Sequence, residues 1–151
     1  MHYFLLKSEP DTYSIDDLKK DKKTPWSGVR NYQARNIMRD QMKPGDLVLF
    51  YHSSCSPPHI AGLAKVASTP YPDLTQFDPK SDYFDPKSSP EAPRWMLVDV
   101  AFVRKAKTIL TLEEIKKDPK LKNMLVIKKG QRLSVQPVSK EEYQHIEKLI
   151  S

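Results

Sequence analysis

Five consecutive apolar residues, Leu47-Val-Leu-Phe-Tyr51, lie about a third of the way along the 151-residue chain. A strand with apolar side chains on both sides has to be covered on both of its faces. Similar runs at His2–Lys7, Ile60–Val66 and Trp95–Val103 predict further strands. The strands at Leu47–Tyr51 and Ile60–Val66 are expected to pair as a hairpin with a long connection.

Helices are predicted where capping boxes precede amphipathic segments. In a capping box, a Ser or Thr hydroxyl and an acidic side chain three residues later satisfy free N–H groups at a helix start. Such boxes begin at Ser14, Thr111 and Ser139. They predict helices that end at Lys20, before Pro119 and near the C-terminus. The last helix is expected to turn four side chains inward: Tyr143, Ile146, Leu149 and Ile150.

Two more strands are predicted late in the chain, at Leu125–Ile127 and Arg132–Gln136, joined through Lys128–Gln131. The charged segment Lys19–Lys23 is predicted to be a solvated linker. Because strands and short helices do not alternate strictly, the pattern favours an α+β fold. We expect one domain over residues 1–151, with a small curved or partly closed β-barrel of about five or six strands flanked by short helices.

The segment 68–94 differs from the rest of the chain in its proline content. It holds six of the thirteen prolines, and it repeats Phe77-Asp-Pro-Lys-Ser81 as Phe84-Asp-Pro-Lys-Ser88. Asp-Pro sequences favour tight turns, and the phenylalanine that starts each repeat supplies an anchor. The segment is therefore predicted to be an ordered excursion and not a flexible linker.

Composition narrows the classes of function. The formal net charge of +6 permits a polyanionic partner, and no apolar run is long enough for a secretory signal or a membrane span. Cys55 is the single cysteine, which excludes an internal disulfide and a thiolate zinc cluster. The chain has four glycines and neither glycine-rich phosphate motif, so we expect no cofactor and no resident metal.

The loop His52-Ser-Ser-Cys-Ser-Pro-Pro-His59 allows two sharper hypotheses. One is a Cys/His nucleophile, and the other is a metal site built from both histidines and Cys55. The spacing matches no specific template for either chemistry. The favoured interpretation is that His52 and Ser53 are polar groups at a strand end and line a site.

The stretch Trp26-Ser-Gly-Val-Arg-Asn-Tyr-Gln-Ala-Arg-Asn36 combines aromatic, amide and basic side chains. Buried amides and guanidinium groups need partners, so such a run is unusual for a hydrophobic core. A helix is predicted from Asn31, and its inward face is expected to hold Ala34, Ile37 and Met38. Trp26 offers a face on which a base can stack. Three arginines are predicted to contact phosphates: Arg30, Arg35 and Arg39.

Several motifs of the chain resemble those of the EVE domain family. They are Leu6-Lys-Ser-Glu-Pro10, Trp26–Asn36, Phe50-Tyr-His-Ser53, Ala61-Gly-Leu-Ala64, Tyr71-Pro-Asp73, the Phe-Asp-Pro repeats and Arg132-Leu-Ser-Val-Gln-Pro-Val138. The resemblance covers essentially the whole chain. It implies a PUA-like fold, which YTH, ASCH and PUA domains share. It also implies a protein that reads a modified base by taking the flipped base into a pocket.

The resemblance further implies which residues form this base pocket. They are Lys7, Ser8, Glu9, Trp26, Val29, Asn31, Tyr32, Tyr51, His52, Ser53, Arg132 and Ser134. The expected protein is a non-catalytic, monomeric binding module whose partner is DNA or RNA carrying a modified base. Animal members carry a basic N-terminal extension that this chain lacks, so the resemblance implies a stand-alone cytoplasmic version.

Two other functions remain open from the sequence. An enzyme acting on a modified base or nucleotide would use Glu9 or His52 as its acid/base group. A protein-interaction domain would use the segment 68–94 as its contact surface. If binding to modified nucleic acid depends on Trp26, that result would favour the modified-base binding module over the enzyme and over the protein-interaction domain.

Overall fold

The computed structural model of the protein describes residues 1–130 and 132–151. Eight strands are defined in this part of the chain: β1 (Tyr3–Ser8), β2 (Lys23–Pro25), β3 (Leu47–His52), β4 (His59–Val66), β5 (Tyr71–Pro72), β6 (Met96–Leu97), β7 (Asp99–Thr111) and β8 (Val135–Val138). The α-helices of the same residues are α1 (Ile15–Asp21), α2 (Tyr32–Asp40), α3 (Leu112–Lys117) and α4 (Lys140–Leu149). Short 3-10 turns occur at Leu74–Phe77, Pro119–Leu121 and Leu125–Ile127. No helix within the described ranges has the length and apolar content needed to cross a membrane.

Six of the strands form one sheet in the order β2-β7-β4-β3-β1-β8. β1 runs parallel to β3, and the other neighbouring pairs are antiparallel. β3 lies inside the sheet, and every residue after Leu47 is buried, as its apolar sequence predicts. β2 and β8 form opposite edges, so the curled sheet stays open. The α+β prediction is confirmed.

Helices cover both faces of this sheet. Alternate residues of β1 and β3 point to opposite faces, so Leu6 and Phe50 belong to one core cluster and Leu5 and Leu49 to the other. The first cluster includes buried residues of α1 and α2: Ile15, Leu18, Ala34, Ile37 and Met38. The second includes buried residues of α3 and of the α4 region: Ile115, Tyr143, Ile146 and Ile150. The predicted inward face of α2 is confirmed.

Polar caps fix where the helices begin. Each of the predicted capping boxes, at Ser14, Thr111 and Ser139, is present. α2 begins after Asn31, whose side-chain oxygen accepts a hydrogen bond from the Ala34 N–H at 2.9 Å. A side-chain cap of this kind stabilises a helix by about 1 kcal/mol. Local polar residues therefore define helix starts that the apolar pattern alone leaves imprecise.

The strand predicted at Trp95–Val103 differs most from expectation. It is divided into β6 and β7, and β7 continues through the basic residues to Thr111. Pairing with β4 extends along most of this length, with two register shifts. Lys105 and Lys107 remain at the surface, where Lys105 Nζ lies 2.9 Å from Asp16 Oδ1, while Arg104 is half-buried. A charged sequence is therefore compatible with a long strand whose outward positions face water.

Four smaller predictions are wrong in their extent or type. Lys19–Lys23 is not a linker, because its first residues belong to α1 and Lys23 begins β2. Leu125–Ile127 forms a 3-10 turn, since a short apolar run does not distinguish a strand from a buried turn. The strand predicted from Arg132 begins at Val135, and Gln131 of the predicted connection lies outside the described residues. Leu149 is 41% exposed, because Ile146 and Ile150 occupy the inward face.

The segment 68–94 is ordered, as predicted, and a buried glutamine holds it to the sheet. Gln76 Nε2 donates to the main-chain oxygens of Asp73 at 2.7 Å and Trp95 at 2.8 Å. Gln76 Oε1 accepts from the Ser88 hydroxyl at 2.6 Å and the Trp95 N–H at 3.0 Å. One buried amide thus joins both ends of the excursion.

The two Asp-Pro repeats form the same local turn. Asp78 and Asp85 each accept a hydrogen bond from the N–H two residues later, at 2.9 Å. Phe84 is 39% exposed, so it is not the anchor that the repeat predicts. Asp85 replaces it, because its carboxylate accepts from Trp95 Nε1 at 2.8 Å.

Candidate functional site

A cavity of about 520 Å³ opens beside the end of β1. Its lining residues are Lys7, Ser8, Glu9, Thr12, Tyr13, Thr24, Pro25, Trp26, Ser27, Gly28, Val29, Arg30, Tyr83 and Ser134. They come from four parts of the chain: the end of β1, the segment before α2, the excursion and the segment before β8. A cavity of this volume with aromatic and polar walls suits a small planar ligand.

Trp26 forms an aromatic wall of the cavity. Its half-buried ring packs edge-to-face on Phe50, with ring centres 5.6 Å apart, and on Tyr13 at 6.4 Å. Its main-chain N–H donates to the Val98 carbonyl at 3.0 Å, which holds the loop at the sheet. These contacts fix the plane of the indole, so a flat ligand can stack on it without first ordering the side chain.

A largely buried ion pair fixes a second wall. Asp73 Oδ2 accepts from Arg30 Nη1 at 3.2 Å and from the Gly28 N–H at 2.8 Å. Arg30 also donates from Nε and Nη2 to the Tyr83 carbonyl, at 3.1 and 2.7 Å. Burial acts to raise the pKa of Asp73, but hydrogen bonds from Thr75, Gly28 and Arg30 outweigh it and leave the pKa lowered. Ionised Asp73 therefore ties the excursion to the segment before α2.

Gly28 is the point of closest approach between these segments. Its φ of +87° lies in the left-handed region that favours glycine. A Cβ atom there would lie 2.7 Å from the Tyr83 ring. Tyr83 itself is 41% exposed at the rim of the cavity. The absence of a side chain at residue 28 is therefore what allows the Tyr83 ring to take this place.

Lys7 brings a positive charge into the cavity. Its main-chain N–H donates to the Ser134 carbonyl at 2.9 Å, which joins β1 to the segment before β8. Burial lowers the pKa of the half-buried Lys7 ammonium. Within the described residues, no carboxylate lies at ion-pair distance from it. A hydrogen-bond acceptor on a bound ligand would supply the missing partner.

The structure brings half of the predicted pocket residues to the cavity. They are Lys7, Ser8, Glu9, Trp26, Val29 and Ser134, and Arg30 joins them. The others do not line it: Asn31, Tyr32, Tyr51, His52, Ser53 and Arg132. Asn31 is engaged as the cap of α2, and Tyr51 belongs to the core cluster on the opposite face of the sheet. Ser53 donates its N–H to the Ser8 carbonyl at 3.0 Å, and Arg132 is exposed.

His52 is engaged elsewhere by hydrogen bonds that define its tautomer. Its Nε2 accepts from the Ile15 N–H at 3.1 Å, so the neutral ring carries its proton on Nδ1 and donates it to His59 Nε2 at 3.1 Å. His59 Nδ1 then donates to the Pro57 carbonyl at 2.8 Å. Burial, and then the nearby His59, lower the pKa of His52. His52 therefore holds α1 to the loop after β3 and is not placed to act on a ligand in the cavity.

The loop after β3 does not gather a metal site. The Cys55 thiol donates to the main-chain oxygens of His52 at 3.7 Å and of Pro57 at 3.4 Å. In the ranges that the structure describes, no three His, Cys, Asp or Glu side chains converge in a way that would hold a metal ion. The cysteine is thus part of the loop's local hydrogen bonding.

Tyr32 and two of the predicted phosphate contacts, Arg35 and Arg39, belong to α2 and do not line the cavity. The Tyr32 ring stacks on Trp95, with centres 4.8 Å apart and an interplanar angle of 19°. The Arg35 guanidinium carbon lies 4.8 Å from the Tyr32 ring centre. Arg39 pairs with its exposed neighbour Asp40 at 2.8 Å. Tyr32 therefore does not belong to the cavity wall, although the sequence motif predicts it there.

Seven of the lining residues were not among the predicted pocket residues: Thr12, Tyr13, Thr24, Pro25, Ser27, Gly28 and Tyr83. Ser27 and Gly28 lie within the Trp26–Asn36 motif, next to the predicted Trp26. The turn after β1 brings Tyr13 back, since its N–H donates to the Glu9 carbonyl at 2.8 Å. A signal for Tyr83 was present in the sequence. It lies between two Asp-Pro turns, which project the intervening residues as a loop tip.

The sequence profile of the EVE domain matches residues 2–149. The chain belongs to the EVE domain family. Human thymocyte nuclear protein 1 is 43% identical over 163 residues, which are 95% of this chain and 72% of the human protein. A hypothetical protein from Leishmania major is 52% identical, with a TM-score of 0.93 over 99% of this chain and 94% of that one.

Another structure shows a relative of this EVE domain together with DNA. It is human THYN1 in complex with DNA containing 5-methylcytosine, 42% identical, with a TM-score of 0.91 over 100% of this chain and 98% of that one. An ASCH protein from Zymomonas mobilis, 13% identical, has a TM-score of 0.59 over the full length of both chains. The predicted PUA-like fold is confirmed by these neighbours. Because the human relative is named as a nuclear protein, the cytoplasmic location stays a prediction.

Proposed function

We infer that this EVE domain is a non-catalytic reader of a modified base in DNA, and that the flipped base enters the cavity beside Trp26. One observation carries this proposal: the cavity combines a fixed aromatic face with a half-buried Lys7 ammonium that has no carboxylate at ion-pair distance among the described residues. The complex of human THYN1 with 5-methylcytosine DNA supports DNA as the nucleic acid. The net charge of +6 favours the same class of partner.

The cavity offers a donor and an acceptor to the edge of the base. Cytosine and its 5-substituted forms present ring acceptors beside an exocyclic amino donor. Lys7 donates to a ring acceptor, and Glu9 accepts from the amino group, while the ring stacks on Trp26. A base with the wrong edge would leave half-buried Lys7 without a partner, at a cost of about 1–3 kcal/mol.

Flipping a base out of a duplex costs a few kcal/mol, and least when it is already unpaired. Stacking on an aromatic side chain contributes about 1–3 kcal/mol per base. Stacking on Trp26 and the two edge contacts together offset most of that cost. The domain should therefore bind a modified base more tightly in a single strand or a mismatch than in a perfect duplex.

Contacts to phosphates add affinity without selecting the base. Arg35 and Arg39 are the proposed backbone contacts. Arg35 is half-exposed beside Tyr32, and Arg39 is exposed, where it pairs with its neighbour Asp40. We propose a role for Arg30 other than the phosphate contact predicted from the sequence, because its guanidinium is already engaged by Asp73 and the Tyr83 carbonyl. Its proposed role is to hold Tyr83 at the rim of the cavity.

The test compares wild-type protein with Trp26→Ala and Trp26→Phe. Binding is measured by fluorescence anisotropy at two salt concentrations, using single strands that differ only by 5-methylcytosine or cytosine. Trp26→Ala should weaken binding to the modified strand by about 5- to 150-fold, equivalent to about 1–3 kcal/mol. Trp26→Phe retains a stacking face and should recover much of the loss.

Equal binding to both strands by wild-type protein, unchanged in Trp26→Ala, would leave only an electrostatic interaction and refute the pocket. Mass spectrometry of the DNA after incubation addresses catalysis. We expect the nucleosides to be unchanged. Turnover that disappears in Glu9→Gln would identify an enzyme instead.

A further inference from the structure

A second aromatic surface lies beside the cavity. Tyr32 is 50% exposed, and its ring stacks nearly parallel on Trp95. Trp95 is itself held in place, because Nε1 donates to Asp85 at 2.8 Å and the main-chain N–H donates to Gln76 at 3.0 Å. A half-exposed tyrosine is thus supported by a rigid, buried tryptophan.

Arg35 does not cover the outer face of the Tyr32 ring, which is the face turned away from Trp95. The Arg35 guanidinium carbon is 4.8 Å from the Tyr32 centre and 5.9 Å from the Trp95 centre, while the two rings are 4.8 Å apart. If the Arg35 guanidinium lay on the far side of Tyr32 from Trp95, its distance to the Trp95 centre would be close to the sum of the two 4.8 Å distances. The actual distance of 5.9 Å is much shorter. Arg35 therefore does not lie opposite Trp95 across the Tyr32 ring. Because Tyr32 is also 50% exposed, the outer face is the side on which another ring can stack.

The surroundings of this ring pair are positively charged. Arg35 and Arg94 have no carboxylate at ion-pair distance in the part of the chain that the structure describes. Arg35 Nη1 donates to the Arg94 carbonyl at 2.6 Å, and Arg94 Nη1 lies 3.5 Å from the Tyr32 hydroxyl. Asp85 is the neighbouring acid, and it accepts from Trp95 Nε1. Two guanidinium groups thus border an aromatic platform.

The platform is continuous with the cavity. Arg30 lines the cavity, and its guanidinium carbon stands 5.2 Å from the Trp95 ring centre and 5.5 Å from that of Tyr83. A nucleotide joined to one that is bound in the cavity would have to cross this shared boundary. The chemistry of the platform, an exposed aromatic ring bordered by two guanidinium groups without a carboxylate partner among the described residues, matches a base and its phosphate. A phosphate would take the place of the neutral Asn36 Oδ1, which accepts from Arg35 Nε at 3.0 Å and Nη2 at 2.8 Å.

We propose that the outer face of Tyr32, supported by Trp95, stacks the base next to the one held in the cavity, while Arg35 and Arg94 contact the phosphates on that side. This rests on the proposed function, because it assumes that a base occupies the cavity. Stacking is tolerant of sequence, so any neighbouring base serves. The neighbour must also be unpaired, so the preferred partner is single-stranded or locally opened DNA.

The experiment uses short single strands that contain one 5-methylcytosine and have either normal neighbours or an abasic residue on its 5′ or 3′ side. Wild-type protein should bind the strand with normal neighbours at least about fivefold more tightly than one of the two abasic strands. Tyr32→Ala should bind the strand with normal neighbours as weakly as it binds that abasic strand. Tyr32→Phe should restore the tighter binding to the strand with normal neighbours. Phe84→Ala, which removes another exposed aromatic ring of the excursion, should behave as wild type.

Arg94→Gln tests the phosphate contact. It should weaken binding to methylated and unmethylated strands alike and reduce the slope of log affinity against log salt by about 1. Abasic neighbours on either side that leave wild-type affinity unchanged would overturn the platform. So would an unchanged affinity in Tyr32→Ala.

The two proposals fail in different ways. If Trp26→Ala abolishes the preference for 5-methylcytosine while Tyr32→Ala and the abasic strands have no effect, the pocket stands and the platform is refuted. Wild-type protein could instead show no preference for 5-methylcytosine, while Tyr32→Ala loses affinity for strands with normal neighbours but not for the abasic strand. In that case the platform stands and base reading is refuted. Loss of the methyl preference in Tyr32→Ala without any abasic effect would place Tyr32 in the pocket and refute the platform.

Discussion

Replacing Gly28 with alanine should displace Tyr83 and weaken DNA binding more than it destabilises the fold. The new Cβ would lie 2.7–3.0 Å from three atoms of the Tyr83 ring, closer than packed atoms tolerate. The Tyr83 ring is 41% exposed, so it has room to move outward. Its displacement would open the rim of the cavity and disturb the two hydrogen bonds that its carbonyl accepts from Arg30.

The chain contains a matched control for the backbone strain. Gly28 and Gly45 have similar φ angles, +87° and +92°, but a Cβ at Gly45 meets nothing within 4 Å. A non-glycine residue in the left-handed region costs roughly 1–2 kcal/mol, part of which is offset by the lower entropy of the unfolded chain. Gly45→Ala should therefore lose about 1 kcal/mol of stability. Gly28→Ala should lose about 2 kcal/mol, since the Arg30–Tyr83 hydrogen bonds weaken as well.

Urea unfolding followed by tryptophan fluorescence gives the two stabilities, and anisotropy with a 5-methylcytosine strand gives the affinities. Gly45→Ala should bind as wild type, whereas Gly28→Ala should bind several-fold more weakly. In a Tyr83→Ala background, the additional loss of stability caused by Gly28→Ala should disappear, because the clash is gone. Equal stability and equal affinity of the two glycine variants would refute a role for the Tyr83 position.

Two further predictions concern buried polar groups. Asp73→Asn should lower the free energy of unfolding by about 3 kcal/mol, because it leaves Arg30 without its anion. Urea unfolding measures this change, and a loss below about 1 kcal/mol would contradict the prediction. The lowered pKa of His52 means that the unfolded chain takes up a proton near the ordinary value of 6.5 while the native ring stays neutral. Stability should therefore fall as pH drops below 6.5, and His52→Gln, whose amide can accept from Ile15, should show a shallower fall in pH-dependent thermal melts.

The parts of the fold that the sequence predicts well depend on neighbours along the chain. The capping boxes at Ser14, Thr111 and Ser139 identify helix starts because donor and acceptor lie three residues apart. The extent of β7 depends on pairing with β4 and β2, which are distant in sequence. The 3-10 turn at Leu125–Ile127 likewise follows from packing and not from a local preference.

In the candidate site too, residues placed by neighbours along the chain were predicted, and residues placed by distant contacts were not. Lys7 ends a predicted strand, Ser8 and Glu9 follow it, and Trp26 precedes a predicted helix, so contiguous motifs indicate these residues. Tyr83 was missed because its place depends on Arg30, 53 residues earlier in the chain. His52 was assigned to the cavity because it ends a strand, but its ring accepts from the Ile15 N–H, a contact across 37 residues. Sequence motifs indicate which groups are available, and long-range hydrogen bonds decide where they act.

The Arg30–Asp73 pair explains how the cavity keeps its shape before a ligand enters. A largely buried ion pair adds little net stability over apolar packing, because both charges lose water, but removing one partner is costly. Its effect is therefore mainly to fix geometry, here the position of Tyr83 and of the Gly28 backbone. A rim that is ordered in advance loses less entropy on binding, which strengthens affinity without new contacts. It follows that variants of this pair should change affinity even where the ligand never touches them.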